Sequence, residues 1–216
     1  MKEVFNDADR AHLEGQIREA EQQTGSQIVM AVIKRCDNYP EIPWKAFALG
    51  ASATSLVVLL LDLFFPAWIT NTNIILSVSA ILLAGAFLSL ATIILPGFAG
   101  RFPAGSRRET EPLQYAQSLF LARELFATEG RRGVLLLVSL FERQVVILPD
   151  TGIRNRLGED NIINIISGMK PHLKKGSLRE AMEKGLEGIV TALSPPGSEM
   201  PDKNELSDEI IQEEGV

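Results

Sequence analysis

The sequence has a single cysteine, Cys36, and only two histidines, His12 and His172, in 216 residues. One thiol excludes an intramolecular disulfide, and no Cys/His set has the spacing of a structural zinc site. Surplus charge is lacking over most of the chain. Lys and Arg number 21 and Asp and Glu 27, a net charge of −6, but seven of the acids and one Lys fall in residues 195–216, leaving 20 of each sign before them. A neutral body has no basic face to displace counterions from DNA or RNA, so no nucleic-acid partner is expected. The chain has no Walker loop, G-x-G-x-x-G, H-E-x-x-H or G-x-S-x-G, which removes the most readily identified enzyme assignments. It has no internal repeat either, and its length allows one domain or two small ones.

Charge is scarcest in two long runs. From Ala46 to Ile69 Asp62 is the only charged residue, and from Ile74 to Leu95 there is none. As helices these runs reach about 36 and 33 Å, enough to cross about 30 Å of hydrocarbon. Only Thr70, Asn71, Thr72 and Asn73 separate them. That spacing predicts a tight turn and an antiparallel transmembrane hairpin in residues 40–96, with spans of about 46–69 and 74–95. Lys34, Arg35 and Lys45 precede the hairpin and Arg101, Arg107 and Arg108 follow it, while the turn carries no Lys or Arg. The positive-inside rule then places both flanks, both termini and the soluble part in the cytoplasm of a bacterial-type cell, with the lipid bilayer of the inner (plasma) membrane as a partner. The polar start MKEVFNDADR has no basic region followed by an apolar run, so no signal peptide is expected. Asp62 is the intramembrane acid. A charge at that depth is costly and so marks a candidate proton or ion site, although its place four residues before Pro66 equally allows local water, snorkelling or protonation.

The remaining segments carry short-range signals for an α/β domain. Residues 6–23 read as a helix capped by Asn6 or Asp7, with Leu13, Ile17 and Ala20 as its apolar stripe and Thr24-Gly25 as its stop. SQIVMAVIK (26–34) and GVLLLVSL (133–140) read as buried strands, and Gln144 to Leu148 as a third, hairpin-linked strand. The Gly/Pro/basic stretch 97–109 reads as a connector at the lipid surface, and Pro112 as the first turn of a helix to about Thr128. A helix over 160–169 is expected to end before Pro171, and Ser177-x-x-Glu180 is a capping box for a last amphipathic helix to Leu193. The acidic tail, residues 195–216, is expected to be disordered for want of apolar surface. Residues 1–39 and 110–194 are each too poor in strands to stand alone. The economical fold joins them into one small mixed β-sheet sandwiched by helices, interrupted by the inserted hairpin. A right-handed crossover makes the first two strands parallel, and the hairpin makes the third antiparallel.

Glu21-x-x-Thr24-Gly25-x-x-Ile28-Val29, then R-G-V-L-L-L-V at Arg132 to Val138, resembles the TPM domain family. The likeness continues in order with Arg143, Val145, Ile147, Leu148, Asp150, Gly152 and Ile153, and with H-L-K-K-G from His172 to Gly176 before the last helix. It covers about 6–36 and 110–194. The resemblance implies an α/β sandwich and a mixed functional legacy, some members being described as acid phosphatases and others as divalent-metal-binding or accessory modules of membrane complexes. A fold transfers more safely than a reaction.

Asp150 is the foremost candidate site residue. With Thr151 and Gly152 it follows a strand, where carboxylate and backbone oxygens can face a divalent cation such as calcium or magnesium; the same aspartate can instead stabilise its own turn. The topology brings the end of the third strand beside Thr24, Gly25 and Arg131, so these residues are expected to share one cleft. Asp37 belongs at the other end of the sheet, and Asp160 can either approach Asp150 or cap its own helix. Cys36 lacks the Arg of a C-x5-R phosphate cradle, and Asp7-Ala8-Asp9 opens a helix rather than closing a strand. The function expected on these grounds is a membrane-anchored, ligand- or partner-binding accessory module, with a membrane protein as a further partner. The alternative is a metal-dependent phosphatase acting on small phosphomonoesters around Asp150.

Overall fold

The computed structural model describes residues 5–65, 71–102, 105–194 and 210–215. In chain order the helices and strands are α1 (Asp7–Thr24), β1 (Gln27–Arg35), α2 (Glu41–Phe64), α3 (Asn71–Ile94), α4 (Pro96–Ala99), α5 (Gly105–Ala122), β2 (Gly133–Ser139), β3 (Gln144–Pro149), α6 (Glu159–Lys175), α7 (Leu178–Leu193) and β4 (Ile211–Gly215). They fall into two units, residues 1–36 with 109–216, and residues 37–108.

The first unit is a four-stranded mixed sheet in the order β3-β2-β1-β4 with helices on both faces. β1 and β2 run parallel from Gln27 opposite Gly133 to Ile33 opposite Ser139, and β3 returns antiparallel beside β2. These are the predicted pairings. Alternation along the strands divides the core. Ile28, Met30 and Val32 of β1, with Val134, Leu136 and Val138 of β2, face Leu13 and Ile17 of α1, Met169 of α6, and Met182, Leu186 and Ile189 of α7. Val29, Ala31, Ile33, Leu135 and Leu137 face the other way, onto Ala116 and Leu119 of α5 and onto Leu125. Burying one such Leu or Ile side chain contributes about 1.5–3 kcal/mol, so the two faces together carry the fold.

Local chemistry sets the element ends. The Asn6 carboxamide oxygen accepts the Asp9 N–H at 2.7 Å, and Gly25, at φ +63°, closes α1 by donating its N–H to Glu21 O at 2.8 Å. Asn6 is thus the cap, and Asp7 and Asp9 lie in the first turn, where a carboxylate suits the helix dipole.

Several local expectations are corrected. The expected disorder of the tail fails at Ile211–Gly215, which adds to β1 as a parallel edge strand, Ala31 opposite Ile211 and Arg35 opposite Gly215. The compensation is polar: Lys34 Nζ lies 2.6 Å from Glu214 Oε1, and Tyr115 Oη donates to Glu213 Oε2 at 2.5 Å. Residues 195–209 lie outside the described residues. The supposed connector 97–109 contains the end of α4 and the start of α5, and Pro112 sits inside α5 rather than in its first turn. α6 runs through Pro171 to Lys175, beyond the expected stop. Proline removes one N–H and hence one bond to the preceding turn, which a helix otherwise held by packing survives. α6 ends instead at Gly176, φ +79°, whose N–H and that of Ser177 both reach the His172 carbonyl. The capping box is not made: Ser177 forms no side-chain cap, and Glu180 turns to His172, Oε2 to Nδ1 2.9 Å. That contact, with the charges of His172 and nearby Lys175 and Arg179, outweighs desolvation and holds the Glu180 carboxyl below its ordinary value.

The second unit contains the two apolar helices. α2 begins earlier than the expected span and ends at Phe64; residues 66–70 lie outside the described residues, and Asn71 to Asn73, expected in the turn, already belong to α3. Phe65 precedes a proline, which disfavours helical backbone at that position, and it adopts φ −127° and ψ 65°. Each helix is 24 residues, long and apolar enough to cross a membrane. Leu59, Leu63, Phe64, Ile75, Leu83 and Phe87 expose most of their side chains. The helices meet through small residues: a Cβ on Gly50 would stand 2.8 Å from the Ala84 carbonyl oxygen, and one on Gly85 2.8 Å from the Phe47 ring. Asp62 lies on α2, half-buried. Arg107 pairs with both Asp37 and Glu41, Nη1 to Glu41 Oε1 being 2.5 Å.

Candidate functional site

The end of the sheet where β1 and β2 begin and β3 ends is built from tight backbone turns. Gly130 and Arg131 both have positive φ, +70° and +56°, so the chain reverses into β2 through two left-handed residues, the second of them not a glycine. A non-glycine residue held there is strained and needs its surroundings to keep it. Two backbone bonds do so: Gly152 N–H donates to Arg131 O at 3.0 Å, and Asp150 N–H to Gly133 O at 2.8 Å.

The side chains complete the lock. Arg131 presents its guanidinium edge to Asp150, Nε to Oδ2 at 2.7 Å and Nη2 to Oδ1 at 2.9 Å, while Thr151 N–H donates to Oδ1 at 2.7 Å. The Asp150 side chain is 3% exposed and that of Arg131 52%. Burial pushes the Asp150 carboxyl up, but the Arg131 bonds, the Thr151 N–H and the guanidinium charge outweigh it and hold the group below its ordinary value of 3.8. A carboxyl depressed on folding contributes stability that is fully present above its unfolded pKa and is lost as pH falls through the folded one. Thermal melting of the intact chain against pH should therefore show wild type above Asp150→Asn by a constant margin at neutral pH, a margin that shrinks below about pH 4. A margin that grew on acidification would contradict the ion pair.

Of the residues expected in one cleft, Arg131, Asp150, Thr151 and Gly152 are brought together by direct contact. Thr24 and Gly25 lie at the same end of the sheet but serve the α1–β1 turn, the Thr24 hydroxyl donating to Ala20 O at 2.8 Å. Asp37 pairs with Arg107, and Asp160 stands in the first turn of α6. Cys36 is buried, its N–H donating to Glu142 Oε1 at 3.1 Å; desolvation and Glu142 push its thiol up to about 12, the wrong direction for a nucleophile. His12 lies 3.3 Å from Glu183.

A divalent cation needs several open oxygen ligands. Asp150 offers a carboxylate whose two oxygens already accept three N–H bonds beside a guanidinium. Among the described residues no three His, Cys, Asp or Glu side chains gather to hold a metal. As they stand, these residues do not fit a cation.

Two features were missed at the sequence level. Glu21 belongs to the E-x-x-T-G motif, and its buried carboxylate accepts the Ile28 N–H at 2.7 Å, a contact that no local pattern announces. At the other end of the β2–β3 hairpin, a cavity of about 660 Å³ opens between the hairpin and the C-terminal half of α6, lined by Arg143, Lys170, Lys174 and Lys175 among others. Lysines four apart on a helix were legible, but nothing local placed Arg143 opposite them.

Residues 104–192 match the family model described as TPM domain, in line with the resemblance read from the motifs. The fold is similar to that of the BA42 protein from the psychrophilic bacterium Bizionia argentinensis, solved by NMR, with a TM-score of 0.59 over 98% of this chain and 97% of that one at 15% identity. No curated protein matches the chain.

Proposed function

We propose that this chain, with a TPM domain match over residues 104–192 and two membrane-length apolar helices, is a membrane-anchored binding module rather than a hydrolase. The observation that carries this reading is the state of Asp150. A catalytic metal site needs carboxylate oxygens open toward solvent, and here both oxygens are bound by Arg131 and the Thr151 N–H. The acid serves to hold a turn. The exposed apolar side chains of α2 and α3 support the anchor, since water would penalise so large an apolar surface. The flanking Lys and Arg residues support a cytoplasmic soluble unit in a bacterial-type inner membrane, because the positive-inside rule counts basic residues rather than net charge.

The test is direct. The purified chain in detergent should release no phosphate from small phosphomonoesters with calcium or magnesium, and neither ion should raise its melting temperature. Cation-dependent phosphate release that disappears in Asp150→Ala, with the helical content unchanged by circular dichroism, would transfer the assignment to a metal-dependent phosphatase.

A further inference from the structure

The cavity at the far end of the β2–β3 hairpin has an unusual charge distribution. Arg143 reaches its wall from the turn between β2 and β3, and Lys170, Lys174 and Lys175 from the last turns of α6. Among the described residues no Asp or Glu lines it. Elsewhere in the same unit Arg131, Arg179, Lys34 and Lys184 pair with carboxylates, and the cations without such a pair among the described residues, Arg10, Arg154 and Arg156, do not line this cavity. The four around the cavity form no hydrogen bond or ion pair through their side chains among the described residues. Glu180 feels the field of Lys175 but bonds His172, and buried Glu142, next to Arg143 in the chain, bonds Ser139 and the Cys36 N–H.

Helix-dipole compensation explains only part of this. Lysines near a helix C-terminus offset its partial negative charge, which amounts to about half an elementary charge. Here the final carbonyls of α6 are also met by the N–H groups of Gly176 and Ser177. Lys170 lies more than a turn before the end of α6, and Arg143 belongs to another element with a left-handed backbone, φ +56°, that presents it from the opposite wall.

Between the cations the wall is apolar. Val145, Ile166 and Leu173 are half-buried and line the same space. A cavity of about 660 Å³ lies within the range that holds a small organic ligand, roughly 300–1,000 Å³. A bare inorganic anion would leave most of it unfilled.

We propose that this cavity binds an anionic amphiphile, a phosphate or carboxylate head held by Arg143, Lys170 and Lys174 with an apolar chain laid against Val145, Ile166 and Leu173. The inference deepens the binding-module reading and rests on it, and it concerns the opposite end of the hairpin from Asp150. The head can belong to a soluble metabolite or to a lipid of the bilayer; the chemistry of recognition is the same.

The experiment uses the intact chain in nanodiscs of neutral lipid, titrated calorimetrically with octyl phosphate below its micellar concentration, with inorganic phosphate and octyltrimethylammonium in parallel. Octyl phosphate should bind saturably, inorganic phosphate at least about tenfold more weakly, and the cationic amphiphile not at all. Lys170→Gln/Lys174→Gln should weaken octyl phosphate by about tenfold or more, since each charge-assisted contact is worth about that factor. Arg143→Asn, which tolerates the left-handed turn, should weaken it as well. Nanodiscs containing phosphatidic acid would suppress the titration if the ligand is a membrane lipid and leave it intact if the ligand is soluble. Absence of saturable binding, equal affinity for inorganic phosphate, or binding untouched by the folded variants would overturn the proposal. Phosphate release that depends on Asp150 would instead count against the binding-module reading, a separate readout with a separate residue.

Discussion

Replacing Gly152 with alanine should destabilise the sheet-containing unit by about 3 kcal/mol or more, a loss expected only where something rigid is displaced. A Cβ at this position would overlap the Gly130 carbonyl oxygen and stand 2.7 Å from that of Arg131. Both obstacles are backbone, so no rotamer change relieves them. Moving Gly130 and Arg131 aside would break the Gly152 N–H bond to Arg131 O and tilt the guanidinium away from Asp150. The substitution would therefore disturb the turn, the ion pair and the start of β2 together. Thermal melting of Gly152→Ala beside Asp150→Asn separates the contributions. The glycine variant should fall below the aspartate variant, because it loses the backbone contact as well as the pair. A Gly152→Ala protein that melts with wild type would mean that the two loops do not approach as closely as described.

Why some of this fold was legible in the residues and some was not follows from the range of the forces involved. The strands β1 and β2 are buried on both faces, so each carries an uninterrupted apolar run, Ile28 to Ile33 and Val134 to Val138. β4 is an edge strand of sequence IQEEG, whose acids read as tail. Its partners Lys34, Tyr115 and Arg123 come from three distant segments, and no local pattern announces a strand held by such contacts. Capping had a related weakness. Ser177 and Glu180 have the right spacing, but His172, brought alongside by the α6–α7 turn, takes the carboxylate first. At the site, topology alone was enough to place Arg131 beside Asp150. It could not say that the pair would close into a bidentate bridge, which depends on the left-handed backbone at Arg131 aiming the side chain.

Glu21→Ala should cost about 2–3 kcal/mol, much for one side chain on a short turn, because it strands a buried donor. Gln27 donates its N–H to Arg132 O at 3.2 Å, on the β2 side of β1. Parallel pairing alternates the direction of successive groups, so the Ile28 N–H points to the other edge. There the first residue of β4 is Ile211, opposite Ala31, which is too far along the strand to serve Ile28. The Glu21 carboxylate fills the gap at 2.7 Å, reaching from the last turn of α1 across the Thr24-Gly25 stop. The spacing E-x-x-T-G-x-x-I thus has a mechanical reason: one residue closes the helix, another turns the chain, and the glutamate caps the strand it has just started. Glu21→Gln keeps a carbonyl oxygen for Ile28 but adds two N–H donors in a position 2% exposed, so it should lose about half as much as the alanine variant. Denaturant unfolding of both variants, with hydrogen exchange at Ile28, provides the check. The amide should exchange faster in Glu21→Ala than global unfolding accounts for, and unaltered protection there would refute the capping role.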